Sequence, residues 1–188
     1  VTTIIVPPLI SNIFDDTRRT PVFCQPSDTL DVIITGAAIG TEIDNIELFI
    51  DENIQLQTTD NDSLTVQILI QDIPLGMHLI TAVTQDTSGL SDSIKFSVMV
   101  HNEPVNVYRP NGIRDGITYN DNNPQSVTLS LFAPHKEYVY VIGDFNNWFV
   151  NENYYMHMDS GSNDSIHFWI TLNDLSEGTE YAFQYLVD

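Results

Sequence analysis

Short runs in which apolar and polar residues alternate with a period of two dominate the sequence. In one of them, Ile46, Leu48 and Ile50 occupy every second position. No stretch of about a dozen residues carries the apolar spacing at i, i+3, i+4 and i+7 that an amphipathic helix shows. Because side chains of a strand point alternately to its two faces, the pattern predicts an all-β chain.

The alternating runs recur at intervals of roughly 8 to 12 residues with polar turns between them, which is typical of antiparallel sandwiches with Greek-key connections. Asp51-Glu52-Asn53, between two such runs, predicts a hairpin. In the first half the predicted strands cover residues 3–6, 22–25, 30–35, 45–50, 54–58, 64–70, 79–84 and 93–100. In the second half they cover residues 127–132, 138–143, 155–158, 166–172 and 181–187.

The length of 188 residues suits two domains, because one seven-strand sandwich takes about 100. The polar segment His101 to Pro104 follows a strong strand, and proline cannot continue a central ladder. We therefore predict two consecutive immunoglobulin-like antiparallel β-sandwiches, residues 1–103 and 104–188. Within residues 1–20, Thr2 to Val6 is expected to be a strand, and Pro7-Pro8 and Asp15 to Arg19 are expected to be loop.

The charge of the chain excludes several kinds of partner. Six Lys and Arg oppose 26 Asp and Glu, a formal net charge of -20 at pH 7. Such a chain repels phosphates, so we expect no nucleic acid partner. No run reaches the 18 or more apolar residues of a membrane span, and we expect no membrane insertion. A neutral polysaccharide meets no such repulsion.

Residues for catalysis or metal binding form no recognisable constellation. The carboxylates lack the context of a glycosidase pair, and the five histidines are scattered without an HExxH motif. Asp60-Asn61-Asp62 resembles part of a calcium loop but lacks the glycine and the distal glutamate. We predict no catalytic residue, no metal site and no cofactor.

Three smaller features of the sequence have structural interpretations. The single cysteine, Cys24, is expected to be a buried structural thiol. His157 and His167 are expected to face each other across a hairpin as a polar pair. Trp169, in an alternating run, is expected to be a sheet-face or core residue.

Four segments of the second half resemble the family 48 carbohydrate-binding module, of the early-set, isoamylase N-terminal-like type. A strand ends in Ala133-Pro134, the next runs into Gly-Asp-Phe-Asn-Asn-Trp148, Phe168-Trp169 follows, and Tyr181 to Asp188 closes the series. The order of these motifs is more specific than any one of them. Gly112 to Tyr119 is similar to the linker before this module in secreted amylases of bacteria related to Bacteroides. The first half resembles, in fold only, immunoglobulin-like domains of exported bacterial enzymes.

The resemblance implies a non-catalytic N-terminal region of a secreted α-amylase-family (glycoside hydrolase family 13) enzyme, located outside the cell, at its surface or in the periplasm. Its partners would be an α-glucan such as starch or glycogen and a downstream catalytic barrel of the same chain. In glycogen-binding members a second stacking tryptophan follows the Val-Asp-Gly turn. This chain ends at Asp188, so the module is expected to be truncated.

The resemblance also implies the residues of a sugar site. Trp148 matches the tryptophan that stacks on glucose in starch-binding members, and Asn146 and Asn147 precede it. Gln184 matches a position that is lysine in glycogen-binding members, which is a departure. The alternative is that Trp148 anchors its turn, the asparagines form it, and both sandwiches are spacers or docking surfaces that bind no sugar.

Overall fold

The computed structural model describes residues 2–6, 20–59, 62–161 and 165–188. The loop predicted at Pro7-Pro8 and Asp15 to Arg19 lies outside these residues, as do Asp60 and Asn61 of the segment that resembles part of a calcium loop. The chain divides into two compact units, Val1–Asn102 and Glu103–Asp188.

The described residues form fourteen strands and three short 3₁₀ turns, which confirms the all-β prediction. The first unit contains β1 (Thr2–Val6), β2 (Val22–Cys24), β3 (Thr29–Thr35), β4 (Ile43–Ile50), β5 (Asn53–Thr59), β6 (Ser63–Leu69), β7 (Gly76–Asp86) and β8 (Ser91–Val100). The second contains β9 (Gly116–Tyr119), β10 (Val127–Phe132), β11 (Val139–Gly143), β12 (His157–Ser160), β13 (Ile166–Leu172) and β14 (Phe183–Val187). The 3₁₀ turns are Ile70–Asp72, Asp144–Asn146 and Glu152–Tyr154.

Two sheets enclose the core of the first unit, in the orders β1-β3-β6 and β2-β8-β7-β4-β5. The alternation in β3 buries Leu30, Val32 and Ile34, each at most 4% exposed. The hairpin predicted at Asp51-Glu52 is present, and both residues have positive φ, at 47° and 68°. This backbone matches the twist of the paired strands β4 and β5.

Two pairings in the first unit differ from the antiparallel prediction. β1 pairs with β3 in parallel, and β2 pairs with β8 in parallel. Both β1 and β2 lie at the end of their sheet's strand order. Because no hairpin joins either strand to its neighbour, turn geometry does not impose the antiparallel direction.

The second unit packs the sheet β12-β13-β10-β9 against the pair β11-β14. Leu129, Val141, Met156 and Phe168 are among its buried core residues. On β13, Phe168, Ile170 and Leu172 face this core, and the residues between them face outward.

Three predictions in the second unit were wrong in detail. Strand β9 lies in a segment that we expected to be loop, because a four-residue strand containing a glycine gives too short an alternating pattern. The strand predicted at 155–158 is shifted to His157–Ser160, because a 3₁₀ turn ends at Tyr154. His157 pairs with Trp169, and His167 pairs with Asp159, so the two histidines do not face each other. The position of the intervening turn sets this register.

The expectations for Cys24 and Trp169 are confirmed. Cys24 is 6% exposed, and burial raises the pKa of its thiol to about 11, so the reactive thiolate is disfavoured. Trp169 lies on the outward face of β13, where its Nε1 donates a 3.0 Å hydrogen bond to the carbonyl of Val107. Its ring centroid lies 5.0 Å from that of His157.

Candidate functional site

The turn that follows β11 holds three of the four residues predicted for a sugar site. It begins at Gly143, forms the 3₁₀ turn Asp144–Asn146, and continues through Asn147 and Trp148. The fourth residue, Gln184, is exposed on β14 and pairs with Ile142 of β11. We name residues 143–148 the tryptophan turn.

Asn146 holds the tryptophan turn together with both ends of its amide. Its Oδ1 accepts a 2.8 Å hydrogen bond from the Gly143 amide, and its Nδ2 donates to the Val141 carbonyl at 3.0 Å. These bonds fit the alternative in which Asn146 is a turn former. The side chain of Asn147 is exposed, and its backbone has a φ of 55°, which asparagine tolerates better than most residues.

Trp148 lies half-buried at the end of the tryptophan turn. Its backbone amide donates to the Gly143 carbonyl at 2.9 Å, and its indole Nε1 donates to Asp144 Oδ1 at 2.8 Å. Its φ is 64°, in the left-handed region, where a bulky side chain costs about 1–3 kcal/mol. The indole is therefore oriented by a hydrogen bond and remains partly accessible to solvent.

Asp144 was missed by the sequence interpretation, although it sits four positions before Trp148 in the same motif. Besides the indole, its carboxylate accepts a 2.8 Å hydrogen bond from the Ala182 amide through Oδ2. Its own amide donates to the Ala182 carbonyl at 3.0 Å. The bonds from Ala182 and Trp148 lower the pKa of Asp144 below its usual value. Asp144 thereby joins the tryptophan turn to the residues that precede β14.

Gly143 allows the chain segments at this site to approach closely. A Cβ added there would lie 2.5 Å from the Ala182 carbonyl oxygen and 2.9 Å from the Phe145 ring. Contacts under 3.0 Å with backbone require the backbone to move. A larger residue at position 143 would therefore separate the turn from Ala182.

A cluster of titratable residues lies on the outer side of the four-stranded sheet. Arg109 Nη1 donates to Asp115 Oδ1 at 2.6 Å and to Ser130 Oγ at 2.8 Å, and His167 Nε2 lies 3.3 Å from the same Asp115 oxygen. A serine nucleophile needs a base bonded to its hydroxyl, but here Ser130 donates to the carboxylate and is 1% exposed. The cluster therefore has the geometry of a structural anchor.

Two further properties concern only the residues that the structure describes. Among them, no three His, Cys, Asp or Glu side chains are grouped so that they could hold a metal ion. Within the same residues, no helix has both the length and the apolar character needed to cross a membrane.

The segment from β9 to β14 also has a match among known protein families. Residues 116–186 match the family carbohydrate-binding module 48 (isoamylase N-terminal domain). The matched region contains the tryptophan turn and Gln184, and it confirms the resemblance to this family. A module of this family is a non-catalytic, carbohydrate-binding type of accessory domain found in amylolytic enzymes.

The solved structures that are similar to this chain include two that align with most of it. One is a pullulanase from Anoxybacillus sp. LM18-11, with 12% identity and a TM-score of 0.29, covering 89% of this chain and 23% of that chain. The other is dimeric latent PorU from Porphyromonas gingivalis, with 21% identity and a TM-score of 0.28, covering 93% of this chain and 18% of that chain. The chain thus spans less than a quarter of the length of either protein. No curated protein matches it.

Proposed function

We propose that this chain is the non-catalytic N-terminal accessory region of a secreted α-amylase-family glycoside hydrolase, and that its second unit binds α-glucan, such as starch or glycogen, through Trp148. The family matched by residues 116–186 supports a carbohydrate ligand. The first unit, as an immunoglobulin-like domain, and a downstream catalytic barrel would complete the enzyme. Export to the cell surface, periplasm or medium belongs to the same proposal.

The observation that carries the proposal is the backbone of Trp148. Glycine or asparagine would occupy a φ of 64° at lower cost than tryptophan. A large ring placed there, partly exposed and oriented by Asp144, suits stacking on the apolar face of a glucose ring. Asn147 and Gln184 are exposed polar residues on the turn and on β14, and they can hydrogen-bond sugar hydroxyls.

A purely structural role is the second candidate. The indole N–H of Trp148 and both ends of the Asn146 amide are already bonded within the protein. A spacer or a surface that docks on the barrel or on another protein would need nothing more. The two functions differ in one measurable property, which is affinity for free α-glucan.

Fluorescence titration separates the two functions. The chain has two tryptophans, so Trp169→Phe leaves Trp148 as the only indole. We expect maltoheptaose or β-cyclodextrin to change the emission of this variant saturably. Trp148→Ala in the otherwise unchanged chain should weaken binding at least about fivefold by calorimetry, because stacking contributes on the order of 1 kcal/mol or more.

Trp148→Gly is the matched control for folding, because it removes the ring and also relieves the positive φ. We expect it to lose sugar binding while its circular dichroism and thermal midpoint remain close to those of the parent. If the folded parent chain shows no saturable change at millimolar sugar, the binding proposal is wrong and the structural role is favoured.

A further inference from the structure

A cavity of about 250 Å³ opens at one edge of the second unit, where β9 ends the four-stranded sheet. Ile117 pairs with Leu129, and Tyr119 pairs with Val127, so both point to the core side of the sheet, as their partners do. Ile117 is nevertheless 45% exposed and Tyr119 is 74% exposed. The opposing sheet has only two strands, which leaves this side of β9 uncovered.

The other wall of the cavity is the segment from Leu175 to Tyr181. The Leu175 amide donates to the Gln125 carbonyl at 3.0 Å, which ties the segment to the loop before β10. The Ser176 amide donates to the Tyr181 hydroxyl at 2.9 Å, which orients that ring. Glu177 and Glu180, both exposed, bring carboxylates to the same wall. The cavity therefore combines aromatic rings, one of them oriented by a hydrogen bond, with carboxylate acceptors.

This combination restricts the chemistry of the ligand. The net charge of -20 and the two glutamates disfavour an anion. A neutral saccharide offers an apolar ring face to Tyr119 and hydroxyl donors to Glu177 and Glu180. The volume lies just under the usual range for drug-sized ligands, about 300–1,000 Å³, so only one or two sugar rings would be enclosed.

We infer that this cavity is a second α-glucan subsite, separate from the tryptophan turn, with Tyr119 as its stacking platform and Glu177 and Glu180 as hydroxyl acceptors. The choice of α-glucan rests on the proposed function of the unit. All residues that line the cavity fall within the matched segment 116–186. A chain with two subsites holds a long glucan at two points, which raises its avidity for polysaccharide above that for a short oligosaccharide.

The test is an NMR titration of the whole 188-residue chain with maltotriose, following backbone amides. Gly178 and Thr179 report on the cavity, and Asn147 and the Trp148 indole N–H report on the tryptophan turn. We expect both groups of resonances to shift. Tyr119→Ala should weaken the cavity response about tenfold and leave the turn response unchanged. Tyr108→Ala is the matched control, because Tyr108 is 84% exposed in the same unit and does not line the cavity.

Each outcome bears on one proposal or on both. Shifts confined to the tryptophan turn would overturn the second subsite and leave the proposed function standing. Shifts confined to the cavity would support the subsite and remove Trp148 from sugar binding. A cavity response abolished by Trp148→Ala, or reduced equally by Tyr119→Ala and Tyr108→Ala, would overturn the subsite. No shift at either place would overturn both proposals and would leave the cavity as a surface for a protein.

Discussion

At the scale of single residues, Asp144 connects the candidate sugar platform to the rest of the second unit. One carboxylate oxygen accepts the Trp148 indole N–H, and the other accepts the Ala182 amide. Hydrogen bonds to an ionised group are shorter and stronger than those between neutral groups. The pKa of Asp144 lies below the usual 3.8 because these bonds favour the charged form. Its stabilising contribution is therefore present above the unfolded-state pKa and is lost as the pH falls through the folded-state pKa.

Asp144→Asn should lower the thermal midpoint at pH 7, because an NH2 group, which cannot accept, replaces one of the two oxygens that accept from Trp148 and Ala182. The difference from the parent should shrink as the pH falls below about 4, the unfolded-state pKa of an aspartate, and vanish below the lower folded-state pKa, where the parent carboxylate is protonated too. Thermal unfolding at pH 7, 5 and 3 measures this difference. Asp121→Asn, at an exposed turn of the same unit, is the control and should leave the midpoint nearly unchanged. A difference that stays constant over this pH range would contradict the assigned role.

At the scale of elements, the segment from Val105 to Arg109 pairs with the edge strand β12 and brings the Arg109 side chain to the outer face of the four-stranded sheet. The Val107 amide donates to the Met158 carbonyl at 2.8 Å, and the Met158 amide donates to the Val105 carbonyl at 3.0 Å. Ser130 points away from the core, yet it is 1% exposed because Arg109 lies over it. The polar segment His101 to Pro104, predicted as the boundary, lies just before Val105, and the segment from Val105 to Arg109 belongs to the second unit.

Substituting Arg109 should remove the contacts that it makes with Asp115 and Ser130 on the outer face of the sheet. Arg109→Ala leaves the buried Ser130 hydroxyl and the Asp115 carboxylate without their cationic neighbour, so we expect a loss of about 1–3 kcal/mol in the free energy of unfolding. Urea denaturation measures the loss, and faster hydrogen exchange of the Val107 amide would locate it. Arg114→Ala makes the same charge change at an exposed position and should stay within about 0.5 kcal/mol of the parent. Equal effects of the two variants would show that the Arg109 contacts contribute nothing specific to stability.

At the scale of the whole molecule, the net charge of -20 makes the binding of a neutral glucan distinguishable from the binding of a charged polymer. A neutral glucan gains nothing from the field of the protein, so its affinity should change by less than about twofold between 50 and 500 mM NaCl. Calorimetry with maltoheptaose at the two salt concentrations measures this. Duplex DNA at 50 mM NaCl serves as the comparison and should not bind. An affinity that falls steeply with salt would indicate recognition of a charged ligand instead.

Much of the fold followed from local pattern. The alternation in β3, β10 and β13 and the hairpin at Asp51-Glu52 were readable because strand burial and turn chemistry depend on neighbouring residues. The motif ending in Trp148 was recognisable for the same reason, since its residues are consecutive. Local pattern thus located most of the strands, whereas the resemblance to a known family supplied the candidate sugar residues.

Only the tertiary structure decided how distant segments meet. The parallel pairing of β2 with β8, the bonds between Asp144 and Ala182, and the cavity beside Tyr119 each join residues far apart in the chain. Short edge strands such as β9 form because a neighbouring strand supplies their hydrogen bonds. Four residues show too little periodicity for such a strand to be predicted from sequence. The sequence by itself therefore determined which residues form most of the strands and turns. The packing of the sheets within each unit determined which side chains come together.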